Sequence, residues 1–85
     1  MSYSANEWDQ IKGLTAGELI KALLKDGFVL DEEVKTERIY RHPDGRKVSI
    51  HYHSNNKTYG PGLIRALIED AGWTVKDLRR LKLVK

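Results

Sequence analysis

Eighty-five residues with a formal net charge of +3 and no cysteine make one small domain that has neither disulfides nor thiolate metal sites. No apolar run approaches the roughly 20 residues that span a bilayer, and the N-terminus lacks the basic region and apolar block of a signal peptide, so a cytoplasmic protein without a membrane partner is expected. The charge is uneven: residues 1–34 hold three lysines against seven acids, residues 35–54 five cations against two acids, and residues 55–85 seven against three, which directs an anionic partner to the second half of the chain.

In chain order, residues 1–12 read as an N-terminal extension without a clean period, its first few residues mobile and Trp8 and Ile11 packing back. Residues 13–85 are then the domain proper. Thr15-Ala16-Gly17-Glu18 matches a capping box, in which the threonine oxygen and the glutamate carboxylate satisfy free amide donors. Leu19, Ile20, Leu23 and Leu24 follow on one helical stripe, expected to be buried, and Gly27 stops the helix. Phe28-Val29-Leu30 reads as a short strand fraying into Asp31-Glu32-Glu33. A second strand is predicted over about 35–42 and a third over about 47–53.

The turn between them, Pro43-Asp44-Gly45, combines a fixed φ, an aspartate that bonds its own backbone and a glycine free to take φ > 0. In the third strand Val48, Ile50 and Tyr52 share one face, and Lys47, Ser49, His51 and His53 the other. Residues 54–60 are loop-like. Pro61 suits the first turn of a helix whose stripe is Leu63, Ile64, Leu67, Ile68 and Ala71 and whose stop is Gly72. Thr74-Val75-Lys76-Asp77 resembles a second capping box and opens a short helix to about Leu81. The alternating tail, residues 81–85, is able to add a strand or to pair with a partner's edge. Helix, three antiparallel strands, helix and a short extra helix make an α+β sandwich on a three-stranded sheet.

The chemistry-bearing residues concentrate in residues 35–53, which hold all three histidines (His42, His51, His53) together with Lys35, Arg38, Arg41, Arg46 and Lys47. Three imidazoles are enough to bind zinc, but no carboxylate or cysteine cluster accompanies them, and neither metal nor cofactor is expected. No nucleophile stands in a motif beside an oriented base. RNA, by contrast, carries its own nucleophile in the 2′-OH, so a surface that supplies imidazoles and cations suits it. Arg38, Arg41, Arg46 and Lys47 are candidates for phosphate contact, with solvated strand residues as the plain alternative. His51 and His53 are candidate RNA contacts. Tyr40 reads as sheet packing.

Several strings together resemble the HicA family of small toxins, the YcfA-like mRNA interferases. They are Gly13 to Leu23 leading into Gly27-Phe28; Arg38-Ile39-Tyr40-Arg41-His42-Pro43-Asp44-Gly45-Arg46; His51-Tyr52-His53-Ser54; and Pro61 through Ala71-Gly72-Trp73. The resemblance spans about residues 13–83. It implies a double-stranded-RNA-binding-like fold, metal-independent cleavage of mRNA, and a HicB-like antitoxin that covers the active face. It also implies one catalytic histidine, in a Gly-Ser-His or Gly-Gly-His string at the start of the second strand.

This chain departs from that string. It has Lys35-Thr36-Glu37, with Glu37 in the histidine's place and Lys35 in the glycine's, and it has Pro61-Gly62 where the family often has Pro-Lys. A free glutamate is an anion near neutrality, a poor proton donor and repulsive to phosphate. Losing one positioned acid or base costs about 10²–10⁴ in rate. The expected protein is therefore a HicA-like mRNA-binding toxin with cleavage weakened or lost at Glu37. The alternative is a non-catalytic module that binds RNA or a protein partner through the same face.

Overall fold

Local signals set most of the elements of the computed structural model, which describes residues 3–85. Helix α1 (Ala5–Ile11) starts at Ser4, helix α2 (Ala16–Lys25) at Thr15 and helix α4 (Val75–Arg80) at Thr74. Each start is a complete capping box, closed by Glu7, Glu18 and Asp77 respectively. Helix α3 (Pro61–Ala71) has proline in its first turn and ends on Gly72 at φ 71°. Between α2 and α3 run strands β1 (Val29–Val34), β2 (Glu37–Arg41) and β3 (Lys47–His51). They form an antiparallel sheet in the order β1-β2-β3. The α+β class and three-stranded sheet expected from the sequence are present.

Helix α1 is an addition to the expected order. Seven residues are too few to display a helical period, yet its capping box, Ser4-Ala5-Asn6-Glu7, stands in the sequence. The helix is docked on the domain rather than trailing from it. Ile11 is fully buried, Arg65 lies 4.4 Å over the Trp8 ring, and Arg79 bonds Glu7 at 2.8 Å. The expected mobility of the first few residues falls partly on Met1 and Ser2, outside the described residues.

The sheet has two unlike faces because β3 alternates. Val48 and Ile50, with Tyr40 of β2, are buried against Leu19 and Leu23 of α2, Leu67 of α3, and Trp73. Burying large apolar side chains of this kind contributes about 1.5–3 kcal/mol each. Among the described residues the opposite face carries no helix and is open. Register places Glu37 opposite His51, Ile39 opposite Ser49, and Arg41 opposite Lys47 on it. Pairing of β1 with β2 shifts between Leu30 and Glu32, a bulge that leaves Asp31 unpaired in the ladder.

Some boundaries differ from the sequence reading. Strand β2 starts at Glu37, because Lys35 and Thr36 form the turn after β1, and it stops before His42, which caps the Pro43-Asp44-Gly45 turn. Strand β3 stops at His51. Leu24 and Leu63, placed on the buried stripes, are about half exposed, since a three-stranded sheet meets only the middle of each stripe.

The tail adds no strand. Helix α4 ends in a Schellman motif, with Leu83 N–H donating to Leu78 O at 2.8 Å and Lys82 N–H to Arg79 O at 3.0 Å. That turn drives Leu81 and Val84 into the core. The Lys85 amide donates to Gln10 Oε1 at 2.8 Å, tying the tail to α1. Lys82 holds the left-handed position at φ 62°, which glycine normally fills. Lys82→Gly is therefore expected to stabilise the fold by about 1 kcal/mol, read as a rise in the chemical-denaturation midpoint. No helix among the described residues is long and apolar enough to cross a membrane.

Candidate nucleic-acid interface

Period-two alternation in β2 and β3 projects Glu37, Arg41, Lys47, Ser49 and His51 onto the open face of the sheet. Glu37 stands at its centre end. Its carboxylate accepts a hydrogen bond from Ser49 Oγ at 2.7 Å, and His51 is its direct cross-strand neighbour. Beyond the end of β3, His53 stacks on His51 with ring centroids 5.8 Å apart and 23° between planes. Tyr59, buried behind the strand, donates its hydroxyl to His51 O at 2.5 Å, and burial raises the pKa of that phenol. Tyr52 N–H donates to Thr36 O at 2.7 Å. The Tyr52 bond holds the ends of β2 and β3 together beside Glu37 and His51, and the Tyr59 bond ties the end of β3 to the loop before α3. Neither Tyr59 nor Ser49 stands out in the sequence as a site residue, because the contact of Ser49 rests on cross-strand register and that of Tyr59 on how the loop before α3 folds back.

The cations expected here divide into three groups. Lys47 lies on the open face, and Lys35 at the adjoining turn; neither has an ion-pair partner among the described residues. Lys35 adopts φ 55°, the left-handed region in which glycine is unstrained, at the place where the related string has glycine. Arg41 is on the same face but engaged, its Nε 2.6 Å from Asp31 and its Nη2 3.8 Å from Glu32. The bulge at Asp31 sets both acids beside this one guanidinium. Arg38 points to the other face, bonded to Glu33 at 2.9 Å and lying 3.8 Å over the Tyr52 ring.

Arg46 is placed away from this face altogether. Its Nε bonds both carboxylate oxygens of Asp44 at 3.0 and 2.8 Å, and its Nη1 donates to Asp26 at 3.0 Å and to Ala71 O at 2.6 Å. Asp26, with its side chain 8 % exposed, also accepts from Trp73 Nε1 at 2.9 Å and from Arg80 at 2.7 Å. Burial pushes the Asp26 pKa up, but the bonds from Trp73, Arg80 and Arg46 outweigh it and the net shift is downward. Asp44 behaves alike: desolvation raises its pKa, and the Arg46 amide and guanidinium lower it further than that.

His42 belongs to the same hub. Its Nε2 lies 3.0 Å from Asp26 O, and its Nδ1 accepts from the Asp44 amide at 3.1 Å. The Asp44 carboxylate also lies 3.0 Å from Nδ1, so both ring nitrogens are held. A Cβ on Gly27, whose φ is 103°, would sit 2.9 Å from this nitrogen. Gly27→Ala is accordingly expected to cost about 2–4 kcal/mol, through both the backbone strain and the displaced imidazole, measured by urea unfolding.

His42 is thus separated from His51 and His53, which share the open face. No group of three or more potential ligands capable of holding a metal ion occurs among the described residues.

The arrangement brings together a carboxylate, a hydroxyl, two stacked imidazoles and two unengaged lysines on an open sheet. Such a face suits an extended polyanion with exposed bases. Residues 16–73 match the family model described as the HicA toxin of bacterial toxin-antitoxin systems. No curated protein sequence matches the chain. The matched region runs from the first residue of α2, through the whole sheet and α3, to Trp73 at the Asp26 hub, and so contains every element of the open face. The chain belongs to the HicA family of toxins of bacterial toxin-antitoxin systems.

Proposed function

We propose that this protein is an mRNA-binding toxin of a type II toxin–antitoxin system, of the mRNA interferase class, in which cleavage is weakened or lost. The observation that carries this reading is Glu37. By the family resemblance it stands in the place of the catalytic histidine; its carboxylate is held by Ser49 at 2.7 Å, and it lies on the open face of the sheet. An RNase of this kind uses the substrate's 2′-OH as nucleophile and needs a proton carrier beside it. A carboxylate ionised near neutrality holds no proton to give to the leaving oxygen, and its charge opposes the incoming phosphate. RNA binding rests on Lys47, Lys35, His51 and His53, with Arg41 available once it exchanges Asp31 for a phosphate. A HicB-like antitoxin neutralises the protein in the cytoplasm by covering the same face.

The test is incubation of a labelled mRNA with the protein over a salt series. Slow or undetectable cleavage is expected, together with binding that weakens steeply with salt. Each cation–phosphate contact contributes about 0.7 to the slope of log K against log salt on a single strand. Lys47→Ala should therefore lower the slope by about 0.7. Fast cleavage by the unaltered protein would overturn the attenuated reading, and salt-independent binding would overturn the RNA reading.

The same carboxylate favours a second reading, a non-catalytic module that engages a protein partner alone. That module would retain the antitoxin and show no affinity for RNA at any salt concentration.

A further inference from the structure

Away from the sheet, the C-terminal tail passes beside α2 and leaves a cleft of about 320 Å³ lined by Glu18, Lys21, Lys25, Leu81, Lys82 and Leu83. That size lies at the lower end of small-molecule sites, roughly 300–1,000 Å³. Three of the six lining residues are lysines, and none of them has an ion-pair partner among the described residues. Glu18 is the one acid on the wall, its Oε1 accepting from the Thr15 amide and hydroxyl, both at 3.0 Å, so three lysines against one carboxylate leave the lining at +2. That surplus of ammonium groups around one cleft favours an anion that carries more charge than Glu18 alone supplies.

Lys82 adds an independent sign. The Schellman turn requires φ 62° there, a conformation for which glycine is the unstrained choice. The chain instead keeps a cation at this place, and backbone strain of this kind collects at functional sites. Leu81 and Leu83 give the same cleft an apolar wall. An inorganic ion would leave that wall unused, and a neutral apolar ligand would leave the lysines unused.

We propose that this cleft binds an organic phosphate carrying two or more negative charges. Its phosphates lie among Lys21, Lys25 and Lys82, and its apolar body lies on Leu81 and Leu83. The site is separate from the open sheet face and does not depend on the RNA reading.

The experiment is titration of the full chain with ATP, followed by amide chemical shifts, with adenosine as the uncharged control. ATP should bind with a submillimolar Kd and shift residues 18–25 and 81–83, and adenosine should not bind. The Lys21→Ala/Lys25→Ala pair should weaken ATP binding about tenfold. Lys82→Gly should weaken it as well while raising Tm, which separates a lost cation from a damaged fold. The proposal is overturned by no binding at millimolar ATP, by equal binding of adenosine, or by an affinity that falls with Lys47→Ala and not with the cleft variants.

Discussion

Replacing Glu37 by histidine is expected to raise the rate of RNA cleavage by about 10²–10⁴-fold, the usual contribution of one positioned acid or base. The position is ready for it. Its backbone is held in register by β3, with His51 directly across, and Ser49 Oγ lies within hydrogen-bond reach of the side chain. An imidazole there carries a proton near neutral pH and replaces a charge that repels phosphate with one that attracts it. The measurement is cleavage of one labelled mRNA by the protein and by Glu37→His side by side, with growth on expression as the cellular readout. A variant that cuts where the parent does not assigns the silence to Glu37 alone. A parent that cuts as fast as the variant places the proton carrier elsewhere and ends the attenuated reading. Glu37→Gln supplies the companion result: it removes the charge without supplying a base, so it should tighten RNA binding and leave cleavage unchanged.

Asp26→Asn is expected to destabilise the fold by about 2–3 kcal/mol, because it removes the anion that pairs with two arginines at the hub. For a chain of this length that corresponds to a fall in Tm on the order of 10–20 °C. Asparagine keeps one oxygen for Trp73 Nε1 and Arg46 but turns the other, which accepts from Arg80, into a donor, so the loss combines the charge with one acceptor. Arg46 matters most. It is largely enclosed, and its Nη1 is shared between Asp26 and Ala71 O. Arg80 is half exposed, and solvent screening leaves its pair worth little.

The same residue sets a pH dependence. The folded Asp26 pKa lies below its ordinary value of 3.8, so the unfolded chain takes up the proton first. The stabilisation is fully present above about pH 4 to 5 and is lost as pH falls through the folded value. Asp44 and Asp77 shift in the same direction and add to the acid lability. Thermal unfolding between pH 2 and 7 should show the decline in the parent and a shallower one in Asp26→Asn.

Sequence reading was strongest where the signal was local. The capping boxes at Thr15 and Thr74, the stops at Gly27 and Gly72, and the alternation of Val48 and Ile50 each depend on residues within a few positions of one another, and each stands where it was expected. The helix at residues 5–11 was equally local, but it was too short for a period, and only its Ser4–Glu7 pair announced it. The tail adds no strand of its own because alternation of apolar and cationic residues is shared by a strand and by a turn that buries Leu81 and Val84.

Residue chemistry and order in the chain determined the α+β class, the three-stranded hairpin sheet and the family. The tertiary structure alone decided which cations are unengaged. Lys47 and Lys35 are; Arg41 is held by a bulge in β1, Arg38 lies on the far face, and Arg46 together with His42 belongs to the Asp26 hub. Those assignments join residues as much as 54 positions apart. A hydrogen bond between such partners depends on how helices and sheet pack, and no periodicity in the chain records it.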